Sequence, residues 1–273
     1  MLNETSPEGL THGRIVRALT AGAFSVVECV YLPGIRIGPH VHEHSKISLV
    51  VSGGTEERHR DTDDRYGPGW AVIKPIDAEH SNHFGPSGLR TLVITRRTDD
   101  SEIGAAWNQA VRQYRWVGGG PLVRAMFVVA RAIREPSDVD CELLLEERLA
   151  DVEAALIRAP EISSSSPRWL CGVRDRLHAY GAGHVPATRM AEDLGIHPVY
   201  LSRAFRLRFG CNMTEYVRRL RVRRAATLLA DRWRSVAQVA QEAGFADHAH
   251  LCRVFKSQMG ITPGAYRRMA DCG

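Results

Sequence analysis

The chain has no apolar run close to the ~20 residues that a membrane-spanning helix requires, so no helical span is expected. Its first residues, Met1-Leu2-Asn3-Glu4, lack the basic-then-apolar pattern of a secretory signal. Six cysteines (Cys29, Cys141, Cys171, Cys211, Cys252, Cys272) are scattered without one CxxC pair. That pattern argues against a zinc ribbon or a disulfide framework and for a reducing, cytoplasmic setting. No nucleophile–base pair, phosphate loop or carboxylate dyad stands out, so catalysis is not expected, and neither is a membrane partner.

What is present is a chain of 273 residues, 44% hydrophobic and 25% charged, enough for an ordinary globular core in one or two domains. Its net charge of +5 conceals an asymmetry. Residues 165–273 hold 18 Lys and Arg against 8 Asp and Glu, a net of +10, whereas the remainder carries 18 basic and 23 acidic residues, a net of −5. Of the 18 cations at the basic end 17 are arginine, the residue suited to bidentate contact with phosphate or guanine. A basic end on an acidic body suggests a polyanionic partner.

Three regions are expected. Residues 12–100 read as β: short, β-branched runs (Phe24–Tyr31, Ile47–Val51, Trp70–Ile73, Leu89–Thr95) are punctuated by Pro33-Gly34, Gly53-Gly54, Gly67-Pro68-Gly69 and Gly85-Pro86. Such spacing suggests a sandwich or barrel. Residues 101–162 read as helical. Ser137 is a candidate cap for a helix carrying Val139, Leu143, Leu144, Leu149, Val152 and Leu156. That stripe either packs on its own β region or forms a dimer seam. Ser163–Ser166 and Pro167 form the best linker candidate. Residues 165–273 then read as helical and basic.

This last region contains a repeat. Ala191 and Gly195 recur 49 positions later as Ala240 and Gly244. Leu201, Arg203, Phe205, Gly210 and Tyr216 recur 50 positions later as Leu251, Arg253, Phe255, Gly260 and Tyr266. Each unit has the logic of a helix-turn-helix. A small residue lets a second helix cross, and a glycine ends the first helix in the left-handed region. Ile196 or Phe245 plugs the core, and Leu201/Phe205 or Leu251/Phe255 face inward at i, i+4. The outer face of the first recognition helix is left with Val199, Ser202, Arg203 and Arg206; the second presents His248, Ala249, Cys252, Arg253 and Lys256. Ser235 with Gln238 reads as a capping box, Pro198 and Pro263 suit first-turn positions, and Asn212–Leu229 reads as one connecting helix.

The segment from about 168 to 268 resembles the DNA-binding domain of the AraC/XylS family of transcription regulators. Gly244-Phe245, Arg253-Val254-Phe255-Lys256 and Gly260-Ile261-Thr262-Pro263-Gly264-Ala265-Tyr266-Arg267 carry the resemblance. It implies base reading by Val199, Ser202 and Arg203 in the first unit and by His248, Ala249, Cys252 and Arg253 in the second. Arg206 and Lys256 would hold phosphates. The sequence departs from the repeat at Met213, where the second unit has Pro263, and Ala249 and Cys252 are poor hydrogen-bonding readers.

The β region resembles a cupin, a small jelly-roll barrel that often serves such regulators as a sensor. Gly34, His40-Val41-His42, Lys46 and Gly53 follow the first cupin motif, with lysine in place of the usual glutamate. Gly69, Pro75, Asp77 and His80 follow the second, with Asp77 in place of a glycine. In metal-binding cupins the corresponding histidines converge on one ion, so His40, His42 and His80 could hold a metal. Lys46, however, puts an ammonium where a carboxylate ligand would sit. The set His40, His42, Lys46 and His80 is therefore expected to line an effector pocket favouring an anionic or polar ligand, with no resident cofactor. His44 and His83 fit no ligand position.

The expected fold is thus α+β: an N-terminal cupin-like jelly-roll barrel, a helical linker, and an all-α C-terminal domain of two helix-turn-helix units. The expected function is a cytoplasmic, effector-controlled transcription regulator, an activator or a repressor, whose partners are double-stranded DNA, a small molecule, RNA polymerase and a possible second copy. The competing readings are a cupin-type metalloenzyme with an accessory DNA-binding tail and an effector-independent DNA-binding protein.

Overall fold

A computed structural model of the protein describes residues 12–59, 62–97, 101–135, 141–159, 169–180 and 187–270. The candidate cap Ser137, Val139 and the Ser163–Pro167 stretch lie outside the described residues. The N-terminal part is an antiparallel sheet built from β1 (Arg14–Ala21), β2 (Phe24–Tyr31), β3 (Arg36–His40), β4 (Lys46–His59), β5 (Thr62–Tyr66), β6 (Trp70–Lys74), β7 (His80–Arg96) and β8 (Arg115–Gly118). Strands run in the order β1-β2-β7-β4-β6-β8, with β3 also pairing to β7 and β5 to β4. The apolar runs read from sequence all fall in strands. β4 and β7 extend well beyond theirs, because Thr55, Glu57 and Asn82 point at a polar cavity rather than at apolar core.

One expectation fails here. The region after residue 101 is not helical throughout, since Arg115–Gly118 forms β8, antiparallel to β6. Four residues carry too little pattern to announce a strand; the partner edge creates it. Around β8 lie α1 (Glu102–Ala110), α2 (Gly120–Ala132) and α3 (Cys141–Ile157). On α3, Leu149, Val152 and Leu156 are fully buried within this chain, whereas Leu143 is 67% and Leu144 38% exposed.

The C-terminal part is helical: α4 (Trp169–Tyr180), α5 (Ala187–Asp193), α6 (Pro198–Phe209), α7 (Met213–Leu229), α8 (Val236–Glu242), α9 (His248–Met259) and α10 (Pro263–Ala270). Its apolar residues divide unequally. Those of α4–α6, with Tyr216 of α7, form a separate core around Leu201 and Phe205. Those of α8–α10, with Val222 and Leu229 of α7, belong to the same core as Ile47, Leu49, Phe127 and Val152 of the N-terminal part. The second helical unit is therefore packed into the sheet and α2, while the first stands on its own.

The junction is specific. Tyr266 is fully buried and its hydroxyl donates to the Val51 carbonyl of β4 at 2.7 Å. The Arg223 guanidinium of α7 lies 4.3 Å from the Trp70 ring centroid, a cation–π distance. Arg219 donates to the Gly118 carbonyl. Gly260 (φ +74°) closes α9 so near to α2 that a Cβ would lie 2.9 Å from the Arg124 carbonyl oxygen.

A candidate nucleic-acid interface and a buried polar cavity

Both helix-turn-helix turns are built by the same hydrogen bonds. After α5, the Gly195 amide donates to the Glu192 carbonyl at 3.0 Å and the Ile196 amide to Ala191 at 3.0 Å. After α8, Gly244 donates to Gln241 at 3.1 Å and Phe245 to Ala240 at 2.9 Å. This paired closure needs a left-handed residue, and Gly195 (φ 64°) and Gly244 (φ 80°) supply it. The ends of α6 and α9 match as well: Gly210 donates to Arg206 and Gly260 to Lys256, both at 2.9 Å. Pro198 opens α6 behind His197, Asn212 caps α7, and Ser235 and Gln238 form the capping box of α8.

The repeat thus leaves two exposed helices, α6 and α9, linked through α7. With 17 residues, α7 is about 26 Å long at ~1.5 Å per residue. That suits two major grooves ~34 Å apart on one face of a duplex. Leu201 and Phe205, like Leu251 and Phe255, are fully buried. Val199, Ser202, Arg203 and Arg206 on α6, and His248, Ala249, Arg253 and Lys256 on α9, are exposed, while Cys252 is half-buried with its sulfur 3.5 Å from His248 Nε2. Tyr200, Leu207 and Trp233 also stand exposed in this region. Trp233, at 87% and flanked by Arg232 and Arg234, was not singled out by sequence spacing because it lies in the turn between α7 and α8.

The second feature is a small cavity of about 50 Å³, bounded by β4, β6, β7 and residues near both ends of β3. His40, His42, Lys46 and His80 all line it. Sequence spacing missed further polar residues there, among them His12, Glu57, Lys74 and Asn82. Lys74 had a faint signal, as the charged end of the alternating strand Trp70-Ala71-Val72-Ile73-Lys74 on the face of Val72. His44 does not line the cavity, and His83 pairs with Glu56 at 3.1 Å. Asp77 has φ 60°, the backbone for which the cupin motif reserves glycine.

The polar groups are chained together. The His80 Nδ1–H donates to the Ala78 carbonyl at 2.8 Å, which leaves Nε2 as an acceptor for the Lys74 ammonium at 2.8 Å. Lys74 also pairs with Glu57 at 3.0 Å. Glu57 further accepts from Asn82 at 2.7 Å and from the Tyr114 hydroxyl. His40 Nδ1–H donates to Gly38. The ring nitrogens of His12, His40 and His42 lie within 4.8 Å of one another, close enough to meet on one ion. The motif set His40, His42 and His80 is less suitable, because His80 Nε2 is engaged by Lys74 and the buried Lys46 supplies no carboxylate oxygen. This donor set does not fit the cupin metal centre.

Burial, reinforced by Lys46 and Lys74, holds His42 far below the ordinary imidazole range; burial and Lys74 push His80 down to about 2. Both rings are neutral in the fold, whereas in the unfolded chain they take up protons below ~6.5. The unfolded state then binds more protons, so stability must fall as pH falls. Between pH 7 and 5.5 the two histidines together are expected to cost about 2–3 kcal/mol. The urea midpoint should drop accordingly, and His42→Asn with His80→Asn should flatten the dependence.

Residues 190–269 match the helix-turn-helix domain family. The chain is 40% identical over 83 residues to the HTH-type transcriptional regulator YpdC of Escherichia coli, covering 30% of this chain and 29% of that one. It is 25% identical over 153 residues to the Msm operon regulatory protein of Streptococcus mutans, covering 54% and 55%. The chain thus spans about half or less of the length of these curated relatives. Among solved structures, ToxT of Vibrio cholerae is 13% identical over 92% of this chain and 99% of that one, with a TM-score of 0.38.

Proposed function

We propose that this chain, whose C-terminal part is an AraC-type helix-turn-helix domain, is as a whole a sequence-specific, effector-controlled transcription regulator. The single observation that carries the reading is the duplicated turn geometry, which leaves arginine-bearing faces exposed on α6 and α9. Val199, Ser202 and Arg203, and His248, Ala249, Cys252 and Arg253, are the proposed base readers; Arg206 and Lys256 are the proposed phosphate contacts. The first unit does more of the base reading, because Ala249 and Cys252 offer little hydrogen-bonding capacity.

We read residues 12–100 as a cupin-like effector domain, 101–162 as a helical connection and possible dimer surface, and 165–273 as the DNA-binding domain. The effector site is the cavity around His40, His42, Lys46 and His80. Strand β4 supports a route from effector to DNA: Lys46, Ser48 and Val50 line the cavity, and the next residue, Val51, holds Tyr266 of α10. A ligand that binds two arrangements of this strand unequally would bias the second helix-turn-helix. A cytoplasmic location, RNA polymerase as partner and the absence of catalysis accompany this reading. Of the competing functions, a metalloenzyme is disfavoured by the Lys74 ammonium on His80.

The test is selection of genomic fragments by the full chain, followed by anisotropy titration at fixed salt. Binding to the selected site should exceed binding to random DNA by at least ~10³. Base swaps in the half contacted by α6 should cost more than swaps in the half contacted by α9. No preference over random DNA would refute the regulator reading, and equal or reversed sensitivity would refute the division of labour.

A further inference from the structure

A groove between α2 and α3 lies apart from the histidine-lined cavity and from the recognition faces. It holds about 300 Å³, against about 50 Å³ for the histidine-lined cavity. The larger volume reaches the ~300 Å³ at which small-molecule sites begin, whereas the smaller has room for a few waters. Helical spacing builds the groove. Arg124 and Val128 stand one turn apart on α2, and Arg148, Asp151 and Arg158 recur at i, i+3 and i+10 along α3 and the residue after it. Three guanidiniums thus share the space with one carboxylate, a surplus of two positive charges. Asp151 already pairs with Arg148 at 3.7 Å. Among the described residues no carboxylate pairs with Arg124 or Arg158, and both are exposed. The rest of the lining is apolar and small: Ala125 and Val128 are half-buried and Ala155 is buried.

Two unpaired guanidiniums beside a short apolar wall define a ligand. The planar fork of arginine matches phosphate oxygens, and a phosphate monoester carries about −1.5 to −2 at neutral pH, the charge that balances the surplus. The position favours a small molecule over a DNA backbone. The Arg124 side chain packs against Gly260, which ends α9. His248 opens that helix, about 18 Å of helix away, and the proposed base readers follow it. The groove is therefore a two-walled space at the far end of the reading helix.

We propose that the groove between α2 and α3 binds a phosphate monoester with a short apolar body, its phosphate on Arg124 and Arg158 and its body against Ala125, Val128 and Ala155. This site is independent of the effector reading of the histidine-lined cavity.

The experiment uses the full chain, with calorimetry and thermal unfolding against the sodium salts of methyl, butyl and phenyl phosphate. Inorganic phosphate, the singly charged diester dimethyl phosphate and sodium chloride at equal ionic strength are run alongside. Butyl or phenyl phosphate should bind one to one and raise Tm above the chloride control. It should bind at least ~10-fold more tightly than inorganic phosphate or the diester. Arg124→Gln and Arg158→Gln should each weaken that binding by about tenfold or more, with the unliganded Tm retained, as at exposed positions generally. Arg65→Gln, on β5 and outside the groove, is the cation control and should bind like the parent. Binding to random DNA should be the same in both groove variants as in the parent. The proposal is overturned if no monoester stabilises beyond chloride, or if inorganic phosphate or the diester binds as tightly as the monoester. Groove variants that bind the monoester like the parent would also overturn it. Weaker binding of those variants to random DNA would overturn it too, by making the groove part of the DNA surface.

Discussion

Replacing Glu28 with alanine is expected to destabilise the protein by about 3–5 kcal/mol, the range for removing one partner of a buried ion pair. Glu28 is 1% exposed and lies on β2. It accepts from Arg90 of β7 and from Arg134, which follows α2, and both guanidiniums are 8% exposed. Burial alone would push the Glu28 carboxyl up, but Arg134 and then Arg90 more than offset it and hold it below its ordinary value. Without the carboxylate, two like charges remain buried side by side. Arg134 also donates to the Met269 carbonyl at the end of α10, so the loss should reach the second helix-turn-helix. Urea unfolding with hydrogen exchange measures both effects: the midpoint should fall and α10 amides should exchange faster. Arg17→Ala is the control. Arg17 pairs with the same carboxylate at 3.3 Å but is 40% exposed, and such a pair contributes at most ~1 kcal/mol. Equal effects of the two substitutions would contradict the hub role of Glu28.

The second large effect concerns DNA. Arg203 and Arg253 occupy equivalent places on α6 and α9 and both are exposed. A bidentate arginine–guanine contact discriminates by ~1–3 kcal/mol. The two side chains lie on different helices with separate cores, so their losses should add. Arg203→Ala with Arg253→Ala is therefore expected to weaken specific binding by about 2–6 kcal/mol, or roughly 30- to 20,000-fold. Fold stability should change by less than ~0.5 kcal/mol, as for exposed positions generally. Binding to random DNA should persist through the remaining arginines. Titration of the selected site and of a scrambled duplex at two salt concentrations separates these outcomes. Equal loss on both duplexes would make the arginines phosphate contacts rather than readers.

The helix-turn-helix pair was legible because its determinants are local. Gly195 and Gly244, the Ser235/Gln238 box and the i, i+4 pairs Leu201/Phe205 and Leu251/Phe255 each act within a few residues. The strand cores were legible from β-branched runs for the same reason. What escaped depends on pairing between distant segments. Strand β8 exists because β6 offers an edge. Lys74 joins Lys46 only through the β4–β6 register, and His12 reaches the cavity from outside every motif. The merging of the second unit with the sheet, through Tyr266 and Val51, links residues more than 200 positions apart and leaves no periodic mark in the chain. Lys46 stands where the first cupin motif has a glutamate, and that departure was legible in the sequence.

Docking of α6 and α9 in successive major grooves on one face of a duplex is the most direct consequence of the proposed function. Methylation-protection footprinting of the full chain on its selected site tests it directly, because the methylated guanine N7 lies in the major groove. Two clusters of protection are expected about 10.5 base pairs apart, the one assigned to α6 lost in Arg203→Ala and the other in Arg253→Ala. A single cluster, or two clusters separated by half a helical turn, would contradict it.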